Sequence, residues 1–293
     1  MEGVQDPKWK FPLIARERTS ETRFGCRRWR KRTMPLINVD GCPIHVEVQG
    51  AGGAPVLMLS NSLGTTYRMW DDQVQPFTEA FRLVRYDRRG HGRSGCPRGP
   101  YTMERLGRDV LAVLDALGIE RINWCGLSMG GMVGMWLGTM APERIDKLIL
   151  SNTAAYFANK AMWDDRIKTV REEGLAPIAA ATMERWLTRD FRERSPQAVQ
   201  RIRDMFLSTP PEGYIACCEA IRDMDHREII RNIAAPTLVI AGRHDPATTV
   251  EAAEFIRSHI PGAVLTVLDA AHLSNVEQPR VYADTVLGFL LQK

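Results

Sequence analysis

The sequence predicts an α/β protein in which a mostly parallel sheet is flanked by helices and a helical cap is inserted after the sixth strand. Three observations predict it. Short apolar runs alternate with helix-period stretches from Leu36 onward. That rhythm stops between Ala155 and Ala235, where only helical patterns occur, and it resumes afterwards for two more strand–helix pairs. Regular alternation of this kind favours parallel strands joined by crossover helices.

The elements follow in order. "LINVDGCPIHVEV" reads as two strands around an Asp40-Gly41 turn. "PVLMLS" is a buried strand that leads into a polar loop, and a helical stretch covers Met69–Phe81. "RLVRYD" is a fourth strand. Met103–Leu117 carries apolar residues at Leu106, Val110, Val113, Leu114 and Leu117, a helical stripe that Gly118 ends. "RINWCGL" is a strand, Met129–Met140 a helix and "IDKLILSN" the sixth strand. Four cap helices are expected, over 160–174, 176–187, 196–208 and 212–222. "TLVIAG" and "AVLTVLD" are the last strands, with helices near Val250–Ile260 and Arg280–Leu291.

This gives a core of residues 34–154 and 236–293 and a cap of residues 155–235. Residues 1–33 are separate in character. The whole chain has a formal charge of +4, but the first 33 residues alone carry +6, concentrated in "CRRWRKR". They are expected to be a disordered basic extension, with Met34 as an alternative start. A nucleic-acid or membrane patch is the sharper reading of the same charge.

Composition narrows the class. With 44% hydrophobic and 25% charged residues the chain is globular. No apolar run is long enough to span a bilayer, and the N-terminus lacks the apolar core of a secretory signal. The six cysteines show neither metal-ligand spacing nor a disulfide framework. The expectation is a cytoplasmic protein with reduced thiols, no metal and no cofactor. No nucleic-acid or membrane partner is expected, and the oligomeric state is left open.

The chemistry centres on "CGLSMGGM". Gly126-x-Ser128-x-Gly130 lies between a strand and a helix, the setting of a nucleophile elbow. A serine hydroxyl needs a base, and the base needs an orienting acid. His272 follows the last strand and Asp245 follows the strand before it, so both are expected at the same sheet edge as Ser128. Asp269 is the second candidate acid, although it precedes His272 by only three residues. The oxyanion donors are expected to be the amide of Met129 and one from "NSLGTT", either Ser62 or Leu63, with Ser62 preferred. "YDRRGHGRS" reads as a structural turn.

Taken together, "SNSLGTT", "YDRRGHGRS", "CGLSMGGM", "LILSNTAA", "AGRHD" and "DAAHLSNVEQP" resemble the 3-oxoadipate enol-lactonases of the α/β-hydrolase superfamily. The resemblance runs from about Met34 to the C-terminus. It implies hydrolysis of 3-oxoadipate enol-lactone to 3-oxoadipate, a late step of protocatechuate and catechol breakdown in the β-ketoadipate pathway. The substrate would be a small anionic lactone and the catalytic set Ser128, Asp245 and His272. Binding a free carboxylate calls for a cation in a half-apolar pocket. "NKAMWDDRI" offers Arg166 for the carboxylate and Trp163 for the ring wall, three apart on one helical face. Arg166 could instead pair with Asp164 or Asp165. Trp186 and Trp70 read as lid and core packing. The alternatives are another carboxylesterase or lactonase, a cofactor-free perhydrolase, or a ligand sensor on the same fold.

Overall fold

The structure is a computed structural model, and it describes residues 36–292. The expectation for residues 1–33 therefore lies outside the described residues.

Strands β1 (Ile37–Val39) and β2 (Cys42–Ile44) form a small antiparallel pair. Asp40 and Gly41 join them with φ of 48° and 80°, the two positive values that a tight hairpin of this twist needs. The predicted second strand breaks at His45, whose amide donates to Ser94 Oγ at 2.9 Å instead of to a neighbouring strand. The chain resumes as β3 (Val46–Gln49) in the main sheet. Because of that break, the strand preceding the cap is seventh along the chain, not sixth.

Next come β4 (Val56–Ser60), a 3₁₀ turn over Tyr67–Gln73, α1 (Val74–Thr78) and β5 (Arg82–Tyr86). They are followed by α2 (Met103–Ala116), β6 (Ile122–Leu127), α3 (Met129–Met140) and β7 (Ile145–Ser151). The cap then carries α4 (Lys160–Glu173), α5 (Ala176–Trp186), α6 (Arg189–Arg194), α7 (Pro196–Leu207) and α8 (Pro211–Asp223). The fold closes with β8 (Thr237–Gly242), α9 (Val250–His259), β9 (Val264–Leu268), α10 (Ser274–Glu277) and α11 (Pro279–Leu290).

The seven-stranded sheet has the order β3-β5-β4-β6-β7-β8-β9. Only β3 runs antiparallel to its neighbour. From β4 the chain moves outward to β5, then crosses back to β6 and continues the other way. The strand order therefore reverses between β4 and β6, and a crevice opens there at the carboxyl ends. The inner strands β6 and β8 are buried along their whole length, as continuous apolar runs in a parallel sheet require. Helix α3 packs on β6 and β7, α9 on β8 and β9, and α1 against α11.

The ends of the cap segment meet. Tyr156 bridges to Asp225, and the His226 amide donates to the Ala155 carbonyl at 2.8 Å. Helix α6 is an addition to the four expected. It is short and has one buried apolar residue, Phe191, so it leaves no periodic trace in the sequence.

Candidate active site

At the carboxyl end of β6 the chain turns sharply into α3. Ser128 sits on that turn with φ 56° and ψ −117°. A side chain held there costs about 1–3 kcal/mol of backbone strain. Hydrogen bonds fix the conformation from both sides. The Ser128 amide donates to the Ser151 carbonyl at 2.8 Å, and its carbonyl accepts from Gly131 and from Thr153 Oγ1, each at 2.8 Å. Glycine is needed on either side because the turn leaves no space: a Cβ on Gly126 would fall on the Gly130 carbonyl, and one on Gly130 would fall on the Ser60 carbonyl. This packing presents Ser128 in a cavity of about 270 Å³ that His272, Ser62, Leu63, Trp163 and Arg166 also line.

Asp245 follows β8 and His272 follows β9, and both side chains are buried. His272 Nδ1 lies 2.7 Å from Asp245 Oδ2. The same carboxylate accepts from the Ala247 and Thr248 amides at 2.9 and 3.0 Å and from Thr248 Oγ1 at 2.6 Å. Asn152 Nδ2 adds a donor at 3.1 Å. Burial alone would push the Asp245 pKa up. The His272 charge, the His272 hydrogen bond and the Thr248 donors together outweigh it, and the pKa is held below the usual value. With Nδ1 engaged by a carboxylate, the ring's free lone pair falls on Nε2.

The second candidate acid is engaged elsewhere. Asp269 Oδ1 lies 2.7 Å from His244 Nε2, and both side chains are exposed. Of the other histidines, His91 is fully buried, and its Nε2 accepts the Gly64 amide at 2.9 Å. Burial first, and then the Arg88 charge, lower its pKa to about 3. A neutral ring thus pins the loop after β4. "YDRRGHGRS" is indeed a structural turn, and this anchor is part of what it does.

That loop alters the expected oxyanion donors. The Ser62 amide donates to Met69 Sδ at 3.3 Å and is occupied. The next amide, Gly64, is held by His91. Between them the Leu63 amide has no acceptor among the described residues. Leu63 therefore replaces Ser62 as the donor candidate, although both line the cavity. The Met129 amide opens α3, where a helix leaves its first N–H groups without internal acceptors.

On the cap side, the Arg166 guanidinium lies over the Trp163 ring, 5.0 Å from its centroid. It pairs with neither neighbouring acid, and Asp164 instead binds Arg222 at 2.8 Å. Trp70 is core packing, as expected. Trp186 lines the cavity and lies nearly parallel to His272, with centroids 6.3 Å apart, so it is more than lid packing. Sequence reasoning missed Asn152, Thr248 and a second cavity arginine, Arg185. A polar residue ending a central strand was the available signal for Asn152.

The architecture agrees with known proteins. Residues 55–279 match the alpha/beta hydrolase fold family. The chain is 44% identical over 237 residues to 3-oxoadipate enol-lactonase 2 of Acinetobacter baylyi, covering 81% of this chain and 89% of the relative. It is 38% identical over 255 residues to 3-oxoadipate enol-lactonase 1 of the same organism, covering 87% and 96%. The crystal structure of the enol-lactonase from Burkholderia xenovorans LB400 superposes with a TM-score of 0.87 at 43% identity, covering 88% of this chain and all of that one. By this match and these relatives, the chain belongs to the alpha/beta hydrolase fold family, in the company of its 3-oxoadipate enol-lactonases.

Proposed function

We propose that this protein hydrolyses 3-oxoadipate enol-lactone to 3-oxoadipate through an acyl-enzyme on Ser128. The observation that carries the proposal is a cationic side chain in the cavity of the strained serine that pairs with no carboxylate among the described residues. Arg166 and Ser128 line one mostly apolar space, which suits a small ester bearing one negative charge. The relatives named as enol-lactonases support the same substrate.

In this mechanism Ser128 Oγ attacks the lactone carbonyl as His272 Nε2 takes its proton. The Leu63 and Met129 amides hold the carbonyl oxygen as it becomes negative. The ring C–O bond breaks and the leaving oxygen departs as an enolate. With the proton returned from His272 the enolate becomes a ketone, which makes this ester an activated one. Water, deprotonated by His272, then attacks the acyl-enzyme; the bond from Ser128 Oγ to the acyl carbon breaks, Oγ recovers its proton from His272, and the new carboxyl group leaves and ionises. Asp245 stabilises the imidazolium in both halves. The cap, residues 155–235, supplies Arg166 for the free carboxylate and Trp163 for the wall beside the ring.

The five free cysteines among the described residues support a cytoplasmic location. No helix among those residues is long and apolar enough to cross a membrane.

The test is product formation against enzyme concentration. Purified protein should convert many equivalents of enol-lactone, and Ser128→Ala should convert none. A stop after about one equivalent would replace this reading with a ligand sensor.

A further inference from the structure

Helix α5 brings a second arginine to the cavity. Arg185 lines it together with Arg166 of α4. The cap arginines make the pair unusual. Among the half-buried ones, Arg192, Arg201 and Arg222 each meet a carboxylate, at 3.9, 2.8 and 2.8 Å. Arg166 and Arg185 are also half-buried. Neither comes within 4.0 Å of an acid among the described residues.

Two guanidinium groups facing one apolar cavity repel each other, and low polarity strengthens the repulsion. Burial first, and the Arg166 charge second, push the Arg185 pKa down. The arrangement is nevertheless held in place. Arg185 Nη2 donates to Thr182 Oγ1 at 3.0 Å, and Thr182 Oγ1 itself donates to the Ile178 carbonyl at 2.8 Å. Arg166 is held over Trp163. An anion entering the cavity would relieve the repulsion and meet two planar donor forks, the geometry that suits carboxylates best.

We propose that Arg185 and Arg166 together clamp the free carboxylate of the substrate, and that Arg185 is a specificity-determining residue that selects anionic over neutral esters. The inference rests on the enol-lactone reading for the substrate's identity, but the clamp is a property of the cavity. A non-reacting dicarboxylate of matching length, adipate, tests it without turnover.

Calorimetric titration with adipate, and with adipamide as its uncharged counterpart, would be run on wild type, Arg185→Gln, Arg185→Lys, Arg166→Gln and the double variant Arg166→Gln/Arg185→Gln. The clamp predicts that Arg185→Gln weakens adipate binding about tenfold or more. Arg185→Lys should recover part of that loss, because charge returns without the fork. Adipamide binding should change equally little in every variant. The double replacement should cost less than the two single losses combined, because the partners share one carboxylate. Adipate affinity within twofold of wild type in folded Arg185→Gln would overturn the proposal, as would an equal loss for adipamide. If adipate binding depends on Arg185 while enol-lactone is not hydrolysed, the substrate assignment fails and the clamp stands.

Discussion

Asn152 Nδ2 donates to Asp245 Oδ2 at 3.1 Å, while Asn152 Oδ1 accepts from Ser274 Oγ at 2.6 Å. The asparagine has φ 43°, a conformation that side chains rarely adopt, and it is buried. It ties the end of β7 to the loop after β8 and to the start of α10, and so holds the carboxylate that faces His272. Asn152→Leu should lower kcat by about tenfold while KM changes little, because a donor to a buried charge is lost and substrate contacts are not. Steady-state kinetics check this, and Asn152→Asp, which sets a second carboxylate beside Asp245, should be worse than Leu.

Ser128 holds its strain for the sake of its hydroxyl. Ser128→Gly should abolish turnover and raise stability by about 1 kcal/mol, since glycine adopts the same φ without strain. Ser128→Ala should abolish turnover with no such gain. Thermal melts of the two variants separate strain from the loss of the nucleophile.

The proposed mechanism puts the Leu63 amide on the oxyanion, since the Ser62 amide donates to Met69 Sδ. A boronic acid that adds to Ser128 creates a negative oxygen at that position. In ¹H–¹⁵N spectra the Leu63 and Met129 amide protons should move downfield on forming the adduct, with Ser62 moving less. A larger shift at Ser62 would restore it as the donor.

Two buried histidines should make the fold lose stability as pH falls. Burial, with Arg88 in the case of His91, lowers the pKa of His91 to about 3, and burial lowers that of His226 to about 4. An unfolded histidine takes up its proton near pH 6.5. Between that value and the folded one the unfolded state binds more protons, so stability falls as pH falls. Each group contributes a slope of up to about 1.4 kcal/mol per pH unit in that window. Denaturant melts from pH 7 to pH 4 should show this loss, and His91→Gln should flatten it.

Much of this was legible in the chain because it follows from local pattern. Apolar runs mark buried strands, and Gly126-x-Ser128-x-Gly130 marks a turn with no room for side chains. Asp245 and His272 each follow a strand, so topology alone carries them to one edge. What escaped depends on contacts between distant segments. The break at His45 comes from Ser94, 49 residues away. The choice between Ser62 and Leu63 is closer in sequence, but it still turns on how a loop packs the Met69 sulfur seven residues on, which no pattern records. Arg185 could not be distinguished from the other cap arginines until α5 was placed over the cavity, where, among the described residues, no carboxylate, not even that of neighbouring Glu184, comes within 4.0 Å of it.

A cation-bearing cavity that directs the Ser128 hydroxyl to an anionic lactone should show in kcat/KM for 3-oxoadipate enol-lactone against p-nitrophenyl acetate. Wild type should favour the lactone by about 100-fold or more, and Arg166→Ala should reduce that ratio about tenfold or more, because it removes a charged hydrogen bond to the substrate carboxylate. A wild-type preference for the neutral ester, or a ratio unmoved by Arg166→Ala, would mean that charge in the cavity does not choose the substrate.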